Sequence, residues 1–192
     1  VSNNMQLIEQ CRFLLNKKII LAVAPFKRRK GVDILIEAMP RILEDVPDAH
    51  LVVIGQGTKK IGLKTNCTFI ENLPPFQLNW FFSQCFLFAL TPRYIDNEFE
   101  GYGLVYLEAG LYKKPVVGTF SGGVPEAVIH ERSGLLVPEN DPAATAEAIL
   151  KILKDENLAR KLGEENFQLA KQRNWPNYMD QILKIYQNVS NK

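Results

Sequence analysis

The sequence predicts an α/β protein: a mostly parallel sheet covered by helices on both faces. Short continuous apolar runs rich in β-forming residues alternate with amphipathic stretches along nearly the whole chain, the pattern of successive right-handed βαβ units. Glycine-bearing turns (G-Q-G at 55–57, E-G-Y-G at 100–103, S-G-G at 121–123) follow three of these runs. In such sheets ligands bind beyond the carboxyl ends of the strands, at the switch point of the strand order.

Residues 19–24 form the first buried strand by composition. Residues 32–45 place Val32, Leu35, Ile36, Met39 and Leu43 at helical spacing, and Pro40 inside that pattern predicts a kink or a break. Strands follow at 51–54 and 68–70, a short helix at 78–84 and a fourth strand at 86–90. A loop over 91–103 leads into a helix over 104–111, then strands at 115–118 and 134–137. Asp141 followed by Pro142 is a strong helix start, and three closing helices are expected over 142–154, 157–171 and 178–187. Residues 1–16 carry no strand and read as a linker or arm with a short helix; residues 17–192 form the domain. There is no internal repeat and no low-complexity segment.

The 192 residues suffice for one well-buried domain. With 46% hydrophobic and 23% charged residues the composition is that of a soluble globular chain. A net charge of +2 is too mild to point to nucleic acid or an acidic membrane. No apolar run approaches the roughly 18 residues of a membrane span. No signal-peptide pattern opens the sequence, and with Val at position 1 it reads as a piece of something longer. Cys11, Cys67 and Cys85 are odd in number with no C-x-x-C, which fits free thiols in a reducing, cytoplasmic setting. His50 and His130 are the only histidines, so a histidine-based metal site or triad is not expected.

Residues 98–108, E-F-E-G-Y-G-L-V-Y-L-E, set Glu100 and Glu108 around a glycine-bracketed helix start. The first amides of a helix lack internal partners and carry partial positive charge. Gly101 and Gly103 let an anion approach the backbone closely, so the amides of Gly103, Leu104 and Val105 suit a phosphate. Taken as helical, eight residues span about 12 Å, the reach from a ribose across a diphosphate to a sugar. The plainer reading is a solvent-facing helix with Glu108 paired to Lys113 or Lys114, and these residues alone do not choose between the two. S-G-G-V-P-E-A-V-I at 121–129 adds a second glycine turn after the next strand, with Glu126 just inside another helix. Two such turns at one sheet edge favour a cleft.

E-G-Y-G-L-V-Y-L-E-A, K-P-V-V-G, S-G-G-V-P-E-A-V and S-G-L-L-V-P, in this order, resemble the signature of the retaining nucleotide-sugar glycosyltransferases of family 4. The likeness runs from about Ile19 to Tyr186. It implies a Rossmann-like, C-terminal donor-binding domain, one half of a GT-B fold, with the acceptor domain missing from this chain. The resemblance assigns Glu108 to ribose hydroxyls and Glu100 to the transferred sugar. The backbone of Gly101, Tyr102, Gly103, Leu104 and Val105 would contact that sugar and the distal phosphate. V-A-P-F-K-R-R-K-G-V-D at 23–33 resembles the family's first loop, and Lys30 with Gly31 matches its end. Lys30 would neutralise the departing diphosphate. The family's arginine falls here on Pro25, and its preceding glycine on Ala24; proline offers no donor, so Lys27, Arg28 or Arg29 is left to substitute or donor binding is weakened. The base pocket is placed near Gly55 and the Ile70-Glu71-Asn72 turn. Trp175 and Tyr178 lie where the family crosses back to its other domain, although core packing is the plainer role for Trp175.

The function the resemblance implies is transfer of a hexose, mannose or glucose, from a nucleoside-diphosphate sugar with retention and with no metal or cofactor. The acceptor remains open, polysaccharide or glycolipid synthesis is implied, and peripheral membrane contact would run through the missing half. The alternative is a non-catalytic nucleotide-binding or interaction module that keeps the fold; a sugar-nucleotide epimerase would lack the two-glutamate element.

Overall fold

The computed structural model describes residues 11–57, 65–71 and 73–190, the side chains of Trp175, Gln181 and Ser190 excepted. Six parallel strands form one sheet in the order β3-β2-β1-β4-β5-β6. They are β1 (Lys18–Val23), β2 (Ala49–Ile54), β3 (Cys67–Ile70), β4 (Leu87–Ala89), β5 (Val116–Thr119) and β6 (Gly134–Val137). The helices are α1 (Val32–Asp45), α2 (Pro75–Gln84), α3 (Leu104–Leu111), α4 (Val124–Ala127), α5 (Pro142–Lys154), α6 (Glu156–Gln172) and α7 (Trp175–Ser190). β1 lies beside β2 in a six-residue register from Lys18 opposite Ala49 to Val23 opposite Ile54. All six residues of β2 are buried, so both faces of the sheet are covered, as its unbroken apolar composition requires.

The expected alternation of strands and helices is present, with boundaries shifted by one to three residues. Pro40 is the exception to the local rules. It neither breaks nor ends α1, which runs on to Asp45. The missing N–H forfeits one helical hydrogen bond, on the exposed side of the helix. Ile34, Leu35, Ala38, Met39 and Ile42 are buried on the other side, and that burial outweighs one bond. Helices α5 and α6 begin on side-chain caps: Asp141 Oδ1 accepts from Ala144 N at 2.8 Å and Asp155 Oδ1 from Leu158 N at 2.9 Å. The described end of the amino-terminal stretch forms a 3-10 turn over Arg12–Asn16, and Cys11 and Leu14 are buried in the domain core. Residues 1–10 lie outside the described residues, as do Thr58, Lys59, Lys60, Asn72 and the Trp175 side chain. All three cysteines are free. Helix α7 exposes Tyr178, Met179, Leu183, Tyr186 and Val189.

The helix that starts at the glycine-rich loop, α3, is held from behind by α6. Gly110 and Gly163 permit this: a Cβ on Gly110 would lie 2.8 Å from Asn166 O, and one on Gly163 would lie 2.1 Å from Lys113 O. Asn166 is fully buried and its amide donates to Tyr106 O at 3.2 Å and Lys114 O at 3.0 Å. Asn166→Ala deletes both hydrogen bonds of this buried amide and should lower the unfolding free energy by about 2 kcal/mol in a urea titration. A variant as stable as the parent would show that the two carbonyls do not depend on this amide.

Candidate functional site

The chain runs outward from β1 to β2 and β3, then returns to β4 on the other side of β1. The order reverses between β1 and β4, so the loops after these two strands flank a crevice at the carboxyl edge. The sequence-predicted site residues lie at this edge, in its loops, at the end of β3 (Ile70) or in the first two turns of α3 (Leu104, Val105 and Glu108). Gly55 follows β2 and its N–H donates to the carbonyl of Ile70, the last residue of β3, at 2.9 Å. A Cβ on Gly55 would lie 2.0 Å from Ala24 O, which presses the loop after β2 against the loop after β1.

Residues Arg28–Lys30 form a 3-10 turn that ends at Gly31, with φ of 70°. Gly31 packs so closely that a Cβ would fall 1.7 Å from Thr91 O, and the Thr91 hydroxyl donates to Gly31 O at 2.7 Å. Arg93 fixes the same turn. Its side chain is buried, and it donates from Nε to Arg28 O at 2.9 Å and from Nη1 to Asn140 Oδ1 at 2.8 Å. Its Nη2 pairs with Asp33, while its backbone N–H reaches Arg29 O at 2.9 Å. Arg93 escaped the sequence reading; its signal was a charged residue three positions past Leu90, the end of a fully apolar run.

Lys30 and Glu100 meet as an ion pair, and Arg29 Nη1 lies 3.7 Å from the same Glu100 oxygen. Arg29 Nε also pairs with Glu98 at 3.0 Å. Gly101 faces open space, with no atom within 4 Å of where its Cβ would be. Gly103, at φ 82°, is the residue before α3 and gives it no side-chain cap. Among the described residues the N–H groups of Gly101, Tyr102, Gly103, Leu104 and Val105 have no protein acceptor. Only the second half of the stretch from Glu100 to Glu108 is helical, because α3 begins at Leu104; the 12 Å helical ruler therefore does not apply across the whole of it. Tyr106 anchors α3 to the sheet: its hydroxyl donates to Leu90 O at 2.7 Å, and burial first, then the nearby Glu100, push its pKa well up. Leu104 is exposed, Val105 packs against the core, and the Tyr102 ring lies beneath the Arg173 guanidinium at 6.0 Å.

The second glycine turn sits directly against the first. A Cβ on Gly122 would come within 2.3 Å of Glu100 O and one on Gly123 within 1.9 Å of Gly101 O, while Gly123 N donates to Glu100 O at 2.9 Å. Ser121 is buried, and its hydroxyl has no partner among the described residues. Glu126 lies in the first turn of α4 and is exposed.

Glu108 faces solvent, as the plain surface reading has it, but pairs with neither of the lysines which that reading offered. Lys113 reaches Glu164 at 2.8 Å and Lys114 donates to Ser83 O at 2.9 Å. The Glu108 carboxylate has no cation or donor among the described residues, and desolvation raises its pKa. Two cavities lie elsewhere. One of about 350 Å³ is lined by Ile36, Met39, Pro40, Leu43, Thr65 and Cys67, and another of about 370 Å³ lies between Phe86, Pro115 and Arg160. The first has an almost wholly apolar wall; the second lies at the amino-terminal ends of β4 and β5, away from the switch point.

Comparison with known proteins adds three findings. The family described as glycosyl transferases group 1 matches residues 6–169. An uncharacterized glycosyltransferase of Methanocaldococcus jannaschii is 33% identical over 88% of this chain and 48% of its own length. The GDP-mannose-dependent alpha-(1-6)-phosphatidylinositol monomannoside mannosyltransferase of Mycolicibacterium smegmatis is 30% identical over 77% of this chain and 42% of its own. Among solved structures, Anabaena HepE in complex with UDP-glucose superposes with a TM-score of 0.77 at 21% identity, covering 100% of this chain and 54% of that one. The chain thus spans about half the length of the relatives it matches, the size of one Rossmann-like half of a GT-B fold.

The isolation of Glu108 sets a sign for its pH dependence. Its folded-state pKa lies above the unfolded value, so the folded chain holds this proton more tightly. The charged carboxylate therefore opposes folding. That cost is absent below the unfolded pKa, grows as pH rises through the raised value and is complete above it. Glu108→Gln should match the parent's stability at pH 4 and equal or exceed it at pH 7, measured by urea unfolding at both pH values. A variant less stable at pH 7 would show that Glu108 has a structural partner.

Proposed function

The chain belongs to the glycosyl transferases group 1 family, and from that premise we propose that it is the donor-binding domain of a retaining glycosyltransferase that uses a nucleoside-diphosphate hexose. The observation that carries the reading is the meeting, at the switch point, of the Lys30–Glu100 pair with the unbonded amides of residues 101–105. In this reading the diphosphate lies on the amides of Gly103 to Val105, where dipole and N–H groups favour an anion. Lys30 meets the charge that grows on the diphosphate as its bond to the anomeric carbon breaks. Glu100 accepts hydroxyl hydrogen bonds from the hexose, and Glu108, without a partner of its own, accepts them from the ribose. The base lies between Gly55 and Ile70.

The acceptor hydroxyl attacks from the face the diphosphate leaves, which retains the anomeric configuration. Positive charge for the leaving group comes from Lys30 and the helix amides, so no metal is assigned a step. The Mycolicibacterium relative is GDP-mannose-dependent by name, and HepE was solved with UDP-glucose; these names support a nucleoside-diphosphate mannose or glucose. The acceptor is bound by a second domain in this reading, so the 192 residues alone bind donor and transfer little. The reading places the reaction in the cytoplasm, where nucleotide sugars and free thiols coexist; among the described residues no helix is long and apolar enough to cross a membrane.

Calorimetry with UDP, GDP, UDP-glucose and GDP-mannose tests the reading. One base series should bind at millimolar concentration or tighter, and Glu108→Gln should weaken it at least about tenfold by removing charge-assisted hydrogen bonds to ribose. If no nucleotide binds folded protein at millimolar concentration, the donor-site reading is wrong for this chain.

A further inference from the structure

The two cations at the mouth of the site already have an anion. Lys30 and Arg29 both converge on one Glu100 oxygen, and their side chains are only 15% and 23% exposed, that of Glu100 13%. Partial burial makes such a cluster stronger than a surface ion pair. The main chain that carries the cations is held in place, because Arg93 binds the carbonyls of Arg28 and Arg29 and is itself braced by Asp33 and Asn140. The backbone under Glu100 is equally fixed, since Glu100 O accepts from Gly123 N and lies against Gly122. Beside the cluster, Gly101 opens onto empty space. A second anion can therefore approach Lys30 and Arg29 only by entering next to a carboxylate that holds both.

We propose that Glu100 is a built-in competitor of the diphosphate, so that the site favours sugar-loaded donor over bare nucleoside diphosphate. This rests on the donor-site reading above. When the diphosphate takes Lys30 and Arg29, Glu100 loses its counter-ions and faces a like charge a few ångströms away, which is unfavourable in a half-buried site. A hexose offsets that loss by offering hydroxyl donors to Glu100. A bare nucleoside diphosphate offers none. After transfer, the sugar has left with the acceptor, Glu100 reclaims the two cations, and the product diphosphate is expelled. Arg29 thereby serves as a second diphosphate cation beside Lys30, from a position next to it in the turn.

The test is calorimetry of UDP and GDP binding to the chain and to variants at Glu100, Arg29, Glu98 and Glu108, each checked for a cooperative unfolding transition. Glu100→Gln releases Lys30, leaves Arg29 only its exposed partner Glu98, and should tighten the nucleotide that binds by about three- to tenfold. Arg29→Gln should weaken it by a similar factor. Glu98→Gln, which changes only the exposed outer partner of Arg29, should stay within about twofold. Glu100→Ser serves as the second charge-neutral variant should Glu100→Gln fail to fold. If Glu100→Gln binds no tighter than the parent while Arg29→Gln and Glu108→Gln both weaken binding, the site takes nucleotide but Glu100 does not compete for its cations. If neither UDP nor GDP binds the parent or Glu100→Gln at millimolar concentration, the donor-site reading itself falls, and the competition with it.

Discussion

Three backbone contacts that leave no room for a Cβ hold the site together. Gly31 lies on Thr91, Gly122 on the carbonyl of Glu100, and Gly123 on the carbonyl of Gly101. Through them the loops after β1, β4 and β5 act as one body at the carboxyl edge of the sheet. A methyl group at any of the three would collide with a main-chain oxygen, which cannot rotate aside as a side chain can. The remaining features depend on this packing. It sets the turn carrying Lys30 beside Glu100, and it leaves Gly101 as the uncovered point in the ring.

Electrostatics divides the site into two parts. Around Glu100 the charges are paired and their backbone is pinned, with the buried Arg93 supporting the cationic turn from beneath. Around Glu108 there is no compensating charge among the described residues; partial desolvation raises the pKa of a carboxyl that still faces solvent. Water solvates that carboxylate in the free protein, and hydroxyl donors from a ligand would take the place of that water. One glutamate is thus satisfied by the protein and the other is not, although they sit eight residues apart in the same motif.

Much of this was legible in the sequence because the signals were local and periodic. The six strands, the glycine-ended turns and the capped start of α5 each follow from short-range rules. The proximity of the S-G-G turn to E-G-Y-G also followed, since consecutive parallel strands bring their ends to one edge. Three things were not legible. Pro40 reads as a break, but long-range burial of Ile34, Leu35, Met39 and Ile42 carries α1 through it. The burial of Arg93 depends on Asp33, Asn140 and two carbonyls from far along the chain, and no spacing rule joins them. The pairing of Lys30 with Glu100 spans 70 residues; sequence reasoning assigned each of them to a ligand and not to the other. The helical ruler between Glu100 and Glu108 does not hold because the stretch before Leu104 is loop, with Gly103 left-handed just ahead of the helix.

The central claim is that the amides after Glu100, with Lys30 and Glu108, form one nucleotide-sugar site at the switch point. Backbone amide shifts of ¹⁵N-labelled protein titrated with UDP-glucose or GDP-mannose test it most directly. The account predicts that the largest shifts fall on Lys30, Gly31, residues 101–105, Glu108, Gly122 and Gly123. Shifts confined to the apolar groove between α1 and β3, or to the cavity near Phe86 and Arg160, would contradict it.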